Sequence, residues 1–267
     1  MDNRPIGFFD SGLGGLTSVS ALKEEMPDEK VIYFGDTART PYGSKSPETI
    51  RKFATQIVDY LVKNDVKLIV IACNTVTAMA LDGLREKYPD IPIVGVIEPT
   101  ARKICEEGIE KVGIIGTPAT IKSGIYEKTI LEINPSVETV SLACPLFVPL
   151  IEEGVANTKL MDEAIRMHLD DFMNENGLKD LLLGCTHYPM ISENIKKIYP
   201  GVRLYDSSRE VIKDVRNILV NADALAGPND LEDRYYASDM SDNFVRMVDI
   251  LLGVKANELK VAQIDKD

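Results

Sequence analysis

The chain has 267 residues, long for a single hydrophobic core, so one large or two smaller domains are expected. A hydrophobic content of 45% is enough for packed cores, whereas the absence of Trp and an aromatic content of 6% disfavour a base-stacking platform. The net charge of −12 disfavours direct binding to nucleic acid, and no apolar run reaches the roughly 18 residues a membrane helix needs.

The opening Met1-Asp2-Asn3-Arg4-Pro5 has no signal-peptide stretch. A cytoplasmic protein with reduced thiols is expected. Residues 6–9 read as a first strand and 31–34 as a second. Ile50, Phe53, Ile57, Tyr60 and Leu61 recur at helical spacing within 49–63. Residues 68–72 are a third strand and 93–97 a fourth. Alternating strands and helices mean a mainly parallel, doubly wound sheet.

The pattern then starts again. Residues 112–115 form a strand, followed by Gly116-Thr117-Pro118-Ala119-Thr120 and a helix. Further strands are expected at 137–142, 181–183 and 202–206, and helices at 210–219 and 242–252. Asp10 and Cys73 are 63 residues apart, Thr117 and Cys185 68. Similar intervals between similar strand ends suggest a duplicated unit. The expected division is a first α/β domain of 1–97 plus 210–267, with the tail helices returning to it, and a second of 98–209. The boundary falls near Glu98-Pro99 and the return near residues 206–209.

Cys73 and Cys185 occupy matching places, each where a buried strand meets polar residues: Asn74-Thr75 after the first, Thr186-His187 after the second. Ligands of open α/β sheets gather at that edge. If the two halves face each other, two thiols approach one small molecule from opposite sides, as inversion of a stereocentre by proton transfer requires. A helix N-terminus after each strand would favour thiolate. Cys105 and Cys144 form no CxxC pair with them or with each other. Cys105 suits a helix interior, and Cys144 is ambiguous. His187 can tune the neighbouring thiol, whereas His168 suits helix packing. Cys73, Cys185 and His187 lack a fourth partner, so no metal is expected.

Asp10-Ser11-Gly12-Leu13-Gly14-Gly15 follows a strand and invites a dinucleotide reading, with Asp36 in the place of a ribose-binding acid. The third glycine of that motif is Thr17, and a carboxylate at Asp10 would crowd a pyrophosphate. The residues suit a tight turn that aims Asp10 and Ser11 into a cleft. The loop from Gly35 to Gly43 lies at the same edge, where Tyr42 and Gly43 offer backbone or hydroxyl contacts.

Taken in order, Phe9-Asp10-Ser11-Gly12-Leu13-Gly14-Gly15-Leu16-Thr17, Gly35-Asp36-Thr37-Ala38-Arg39-Thr40-Pro41-Tyr42-Gly43, Ala72-Cys73-Asn74-Thr75, Gly184-Cys185-Thr186-His187-Tyr188-Pro189, Asp206-Ser207-Ser208 and Tyr235-Tyr236-Ala237-Ser238-Asp239 resemble the glutamate racemases of the aspartate/glutamate racemase superfamily. The resemblance implies two pseudo-symmetric α/β domains with the active site in the cleft between them. It implies cofactor-independent interconversion of L- and D-glutamate, supplying peptidoglycan synthesis in the cytoplasm, by a homodimer. Cys73 and Cys185 would be the acid/base pair, assisted by Asp10 and His187 respectively, with Glu152 a further carboxylate. Ser11, Tyr42, Gly43, Asn74, Thr75 and Thr186 would hold the substrate, with Thr117 and Thr120 as extra contacts. Some members carry an N-terminal extension linked to control by a cell-wall precursor. With Asp10 so near the first residue, such control is not expected. An aspartate racemase of the same superfamily is the neighbouring alternative, and a redox protein using the two thiols a more distant one.

Overall fold

The computed structural model describes residues 1–253, 255, 258–262 and 264. Among the described residues ten strands lie in chain order: β1 Ile6–Asp10, β2 Val31–Gly35, β3 Leu68–Ile71, β4 Ile93–Gly95, β5 Lys111–Gly116, β6 Glu138–Ala143, β7 Asp180–Gly184, β8 Arg203–Asp206, β9 Arg234–Ala237 and β10 Leu259–Val261. They form two sheets, one ordered β10-β9-β2-β1-β3-β4 and the other β6-β5-β7-β8, and every pairing is parallel. Parallel sheets need helical crossovers and are covered on both faces. Ile6 and Phe8 accordingly pack to one side of the first sheet and Phe9 to the other. The second sheet divides likewise, Ile114 facing one core and Ile115 the other.

Duplication is visible in the strand order. Within the first sheet the sequence β2-β1-β3-β4 repeats as β6-β5-β7-β8 in the second. β3 thus corresponds to β7, which puts Cys73 and Cys185 at equivalent strand ends. The tail closes on the first sheet. Helix Ser207–Asn221 buries Val211, Ile212, Val215 and Leu219 in that core, and helix Asp242–Leu252 buries Phe244 and Val248 there.

Local details differ from expectation at one strand end and in the tail. The strand expected over 93–97 stops at Gly95, because Val96 is already helical and helix Ile97–Glu106 follows. Pro99 sits in the first turn of that helix, where a missing N–H costs nothing. Glu98-Pro99 therefore lies inside a helix. The return at 206–209 is helical too, since Asp206 accepts the Ser208 N–H at 2.7 Å and caps a helix that begins at once. The tail also supplies β9 and β10, which pattern reading left unassigned. β9 is short, and its alternation of Tyr235 inward and Tyr236 half-buried is too brief a signal to stand alone.

Candidate active site

A pocket of about 90 Å³ opens between the two sheets. It is smaller than the several hundred Å³ of a drug-sized site, and it suits a molecule of amino-acid size. Its walls come from segments after the carboxyl ends of β1 (Ser11), β2 (Thr40 to Ser44), β3 (Cys73, Asn74, Thr75), β5 (Thr117, Pro118), β6 (Cys144 to Pro149) and β7 (Cys185, Thr186, His187). The pseudo-symmetry of the sheets brings these six ends face to face. Ten of the thirteen expected site residues line the pocket. Asp10, Thr120 and Glu152 stand behind it and act on residues that do.

On the first side, Cys73 immediately precedes helix Asn74–Lys87. Its Sγ–H donates to Ser11 Oγ at 3.4 Å. Asp10 is fully buried and accepts the Gly12 N–H at 3.0 Å and, across the cleft, the Thr186 hydroxyl at 3.3 Å. Burial raises the Asp10 carboxyl, while His187 and these donors pull the other way. Burial, and next the charge of Asp10, push the Cys73 thiol up to about 12. The expected drop toward thiolate is therefore reversed: desolvation outweighs the helix N-terminus.

On the second side no α-helix begins at Cys185 itself, and helix Ser192–Ile198 starts only after an intervening turn. The chain makes a single 3-10 turn, Tyr188–Ile191. Beside Cys185 stands His187, whose Nδ1 lies 3.8 Å from Cys185 Sγ and whose Nε2 lies 3.1 Å from Glu152 Oε1. Burial alone would favour the neutral ring. Hydrogen bonds to Cys185 and Glu152, with the electrostatic pull of Cys185 and Asp10, outweigh it and raise His187 to about 10. The ring is thus charged at neutral pH, with a carboxylate on one side and a sulfur on the other.

Hydroxyl and amide groups complete the wall. Thr75, Thr117 and Thr120 form a mutually hydrogen-bonded set across the cleft, at 3.0 to 3.2 Å. Asn74 is held by Ser207 and Tyr126. The Tyr42 hydroxyl is committed to buried Asp36, which Arg39 and Ser238 also engage, so that hydroxyl already has its partner within the fold. Cys144 is a buried pocket residue, and burial pushes its thiol up. Its place directly after β6 was the signal that would have found it. His168 packs edge-on against Phe147, and Cys105 lies in helix Ile97–Glu106, both away from the pocket.

The glycine turn sets how closely the halves approach. A Cβ on Gly14 would lie 2.6 Å from Thr186 Cβ and 2.8 Å from the Thr186 carbonyl carbon, and one on Gly43 would lie 2.7 Å from Thr117 Cβ. Gly14→Ala is therefore expected to wedge the cleft open. Misplacement of this order costs on the order of 10²-fold in turnover, with the separate cores intact. Steady-state rates beside a thermal melt check it. Near-normal turnover would show that closure is not set here.

Residues 17–215 match the Asp/Glu/Hydantoin racemase family. The chain is 42% identical over 269 aligned positions to a glutamate racemase from Geobacter metallireducens, covering 99% of this chain and 98% of the relative. It is similar to the crystal structure of a glutamate racemase from Francisella tularensis in complex with D-glutamate, with a TM-score of 0.93, 39% identity and complete coverage of both chains. An aspartate racemase homologue from Pyrococcus horikoshii, at 18% identity and a TM-score of 0.58 over 81% of this chain and 99% of that one, shares the fold.

Proposed function

The chain belongs to the Asp/Glu/hydantoin racemase family, and from that premise we propose that it interconverts L- and D-glutamate without a cofactor, using Cys73 and Cys185 as the two acid/base groups. The observation that carries this reading is the placement of both thiols on one small pocket at equivalent strand ends of the two sheets. The choice of glutamate rests on the relatives: those from Geobacter metallireducens and Francisella tularensis are glutamate racemases, whereas the aspartate racemase homologue is a distant likeness.

One thiolate removes the α-proton and becomes a thiol. The electron pair stays on the α-carbon, flanked by the substrate's own ammonium and by donors to its carboxylate. The opposite thiol gives its proton to the other face and becomes a thiolate. Exchange with water restores the starting state. Burial pushes Cys73 up to about 12, so a cation nearby would favour its ionisation. The α-ammonium of the substrate is such a cation, and binding and activation are coupled through it. Ser11, Asn74, Thr75, Thr117, Thr186 and the backbone of Tyr42 and Gly43 hold the carboxylates and ammonium, with Thr120 supporting the threonine set. Closure excludes water and strengthens these interactions. Among the described residues no helix is long and apolar enough to cross a membrane. A cytoplasmic homodimer supplying D-glutamate to peptidoglycan synthesis fits the family.

The test is circular dichroism of L-glutamate with the purified protein in D₂O, with proton NMR of the α-position. Loss of optical activity with deuterium entering the α-carbon is the expected result. Aspartate turned over faster than glutamate would move the substrate assignment. No exchange on either amino acid would overturn the racemase reading.

A further inference from the structure

Helix Asp242–Leu252 is anchored in the first unit. Phe244 and Val248 sit in its core, and Ser241 caps the helix by accepting the Phe244 N–H at 3.1 Å. The neighbouring Asn243 reaches the other unit instead. Its Nδ2 donates to the backbone carbonyl of Glu152. Glu152 is the last residue of helix Phe147–Glu152, and the final carbonyls of a helix have no partner within it. This one takes its donor from across the cleft.

Arg246 lies one turn further along. Its Nη2 donates to Asn243 Oδ1 at 3.0 Å, which occupies the amide oxygen and leaves the NH₂ group turned to Glu152. The chain leaves Glu152 through Gly154 at φ +77°, and a Cβ there would lie 2.7 Å from the same Nη2. Asn243 and Arg246 thus both bear on one helix end. That end carries the carboxylate that meets His187 Nε2 at 3.1 Å, and His187 in turn meets Cys185.

We propose that Asn243, oriented by Arg246, is a positioning residue for proton transfer at Cys185: it clasps the Glu152 end of its helix across the cleft and so holds Glu152 on His187. This rests on the racemase reading. The clasp links closure of the cleft to the state of one thiol and leaves Cys73 untouched. Opening the cleft withdraws the support of Cys185 at the same moment that it admits water.

The experiment uses Asn243→Ala and, as a second variant at an exposed side chain, Arg246→Ala. The chain has two histidines, so the ring signals of His187 can be followed by NMR whether or not glutamate turns over. The groups facing that ring are Cys185, Glu152 and Asp10. With Glu152 loosened, the His187 midpoint moves down in Asn243→Ala and by less in Arg246→Ala. Turnover of glutamate falls roughly three- to tenfold, the effect of losing one neutral hydrogen bond. The α-deuterium isotope effect rises for the enantiomer that Cys185 deprotonates and falls for the other, since only one of the two proton transfers is slowed. A general loss of structure would move both enantiomers alike. An unchanged His187 midpoint, or isotope effects that shift equally, overturns the clasp even if the wild type racemises glutamate. A shifted midpoint in a protein whose wild type never turns over glutamate supports the clasp and overturns the function alone.

Discussion

Alanine in place of Cys73, or of Cys185, is expected to lower glutamate racemisation by about 10²–10⁴-fold, the range for one positioned acid/base group. The loss is large because no second thiol stands at either of these two strand ends. Ser11, Asn74 and Thr75 beside Cys73 are not bases at neutral pH. Cys144 is on the pocket wall, but burial pushes its thiol up, away from the thiolate. The two variants should also differ in kind. Each keeps one thiol and so can exchange the α-proton of one enantiomer with solvent deuterium without inverting it. Cys73→Ala and Cys185→Ala should label opposite enantiomers. Labelling of the same enantiomer by both, or wild-type racemisation in either, would sink the two-thiol mechanism. Preserved thermal melts would show that the cores survive, as expected where a buried thiol becomes a smaller apolar side chain.

His187→Asn is the second large effect. A roughly 10²-fold fall in kcat is expected from removal of the ring that stands 3.8 Å from Cys185 Sγ. The substitution also changes stability in a defined pH window. His187 is raised from 6.5 to about 10 in the folded chain. Protonation therefore favours the folded state, fully so below pH 6.5. That contribution is lost as pH rises through about 10. The wild type should lose urea resistance between pH 7 and 10 more steeply than the variant, which has no such ring to titrate. Cys73 is common to both proteins, so its own alkaline titration cancels in the comparison. Parallel pH curves for the two proteins would show that the Cys185–His187–Glu152 contacts do not hold the ring charged.

Most of the architecture can be read from the chain itself. Runs such as Leu68-Ile69-Val70-Ile71 are apolar at every position because a parallel strand is buried on both faces. Each ends at polar residues because loops after parallel strands must satisfy their own backbone groups. That local logic placed Cys73 and Cys185 at strand ends, and the repeated interval made those ends equivalent. β9 and β10 were not readable, since a three- or four-residue strand gains its identity from the strand beside it.

The tertiary structure decided what each site residue does. Chain position put Asp10 and Cys73 near the same edge, but only the fold shows that Ser11 meets the thiol and that Asp10 reaches Thr186 on the other side. Residue type made Tyr42 a candidate hydroxyl, and packing gave that hydroxyl to Asp36. The textual pattern suggested thiols with lowered pKa, and burial raised Cys73 instead. His187 and Asn243 lie 35 and 91 residues from Glu152 in sequence, yet the three form one line of contacts. Secondary structure and strand ends follow from short-range pattern, which a chain carries in its order. Protonation and hydrogen-bond partnership depend on dielectric and on atoms within about 4 Å, and those are set only when distant segments close on one another.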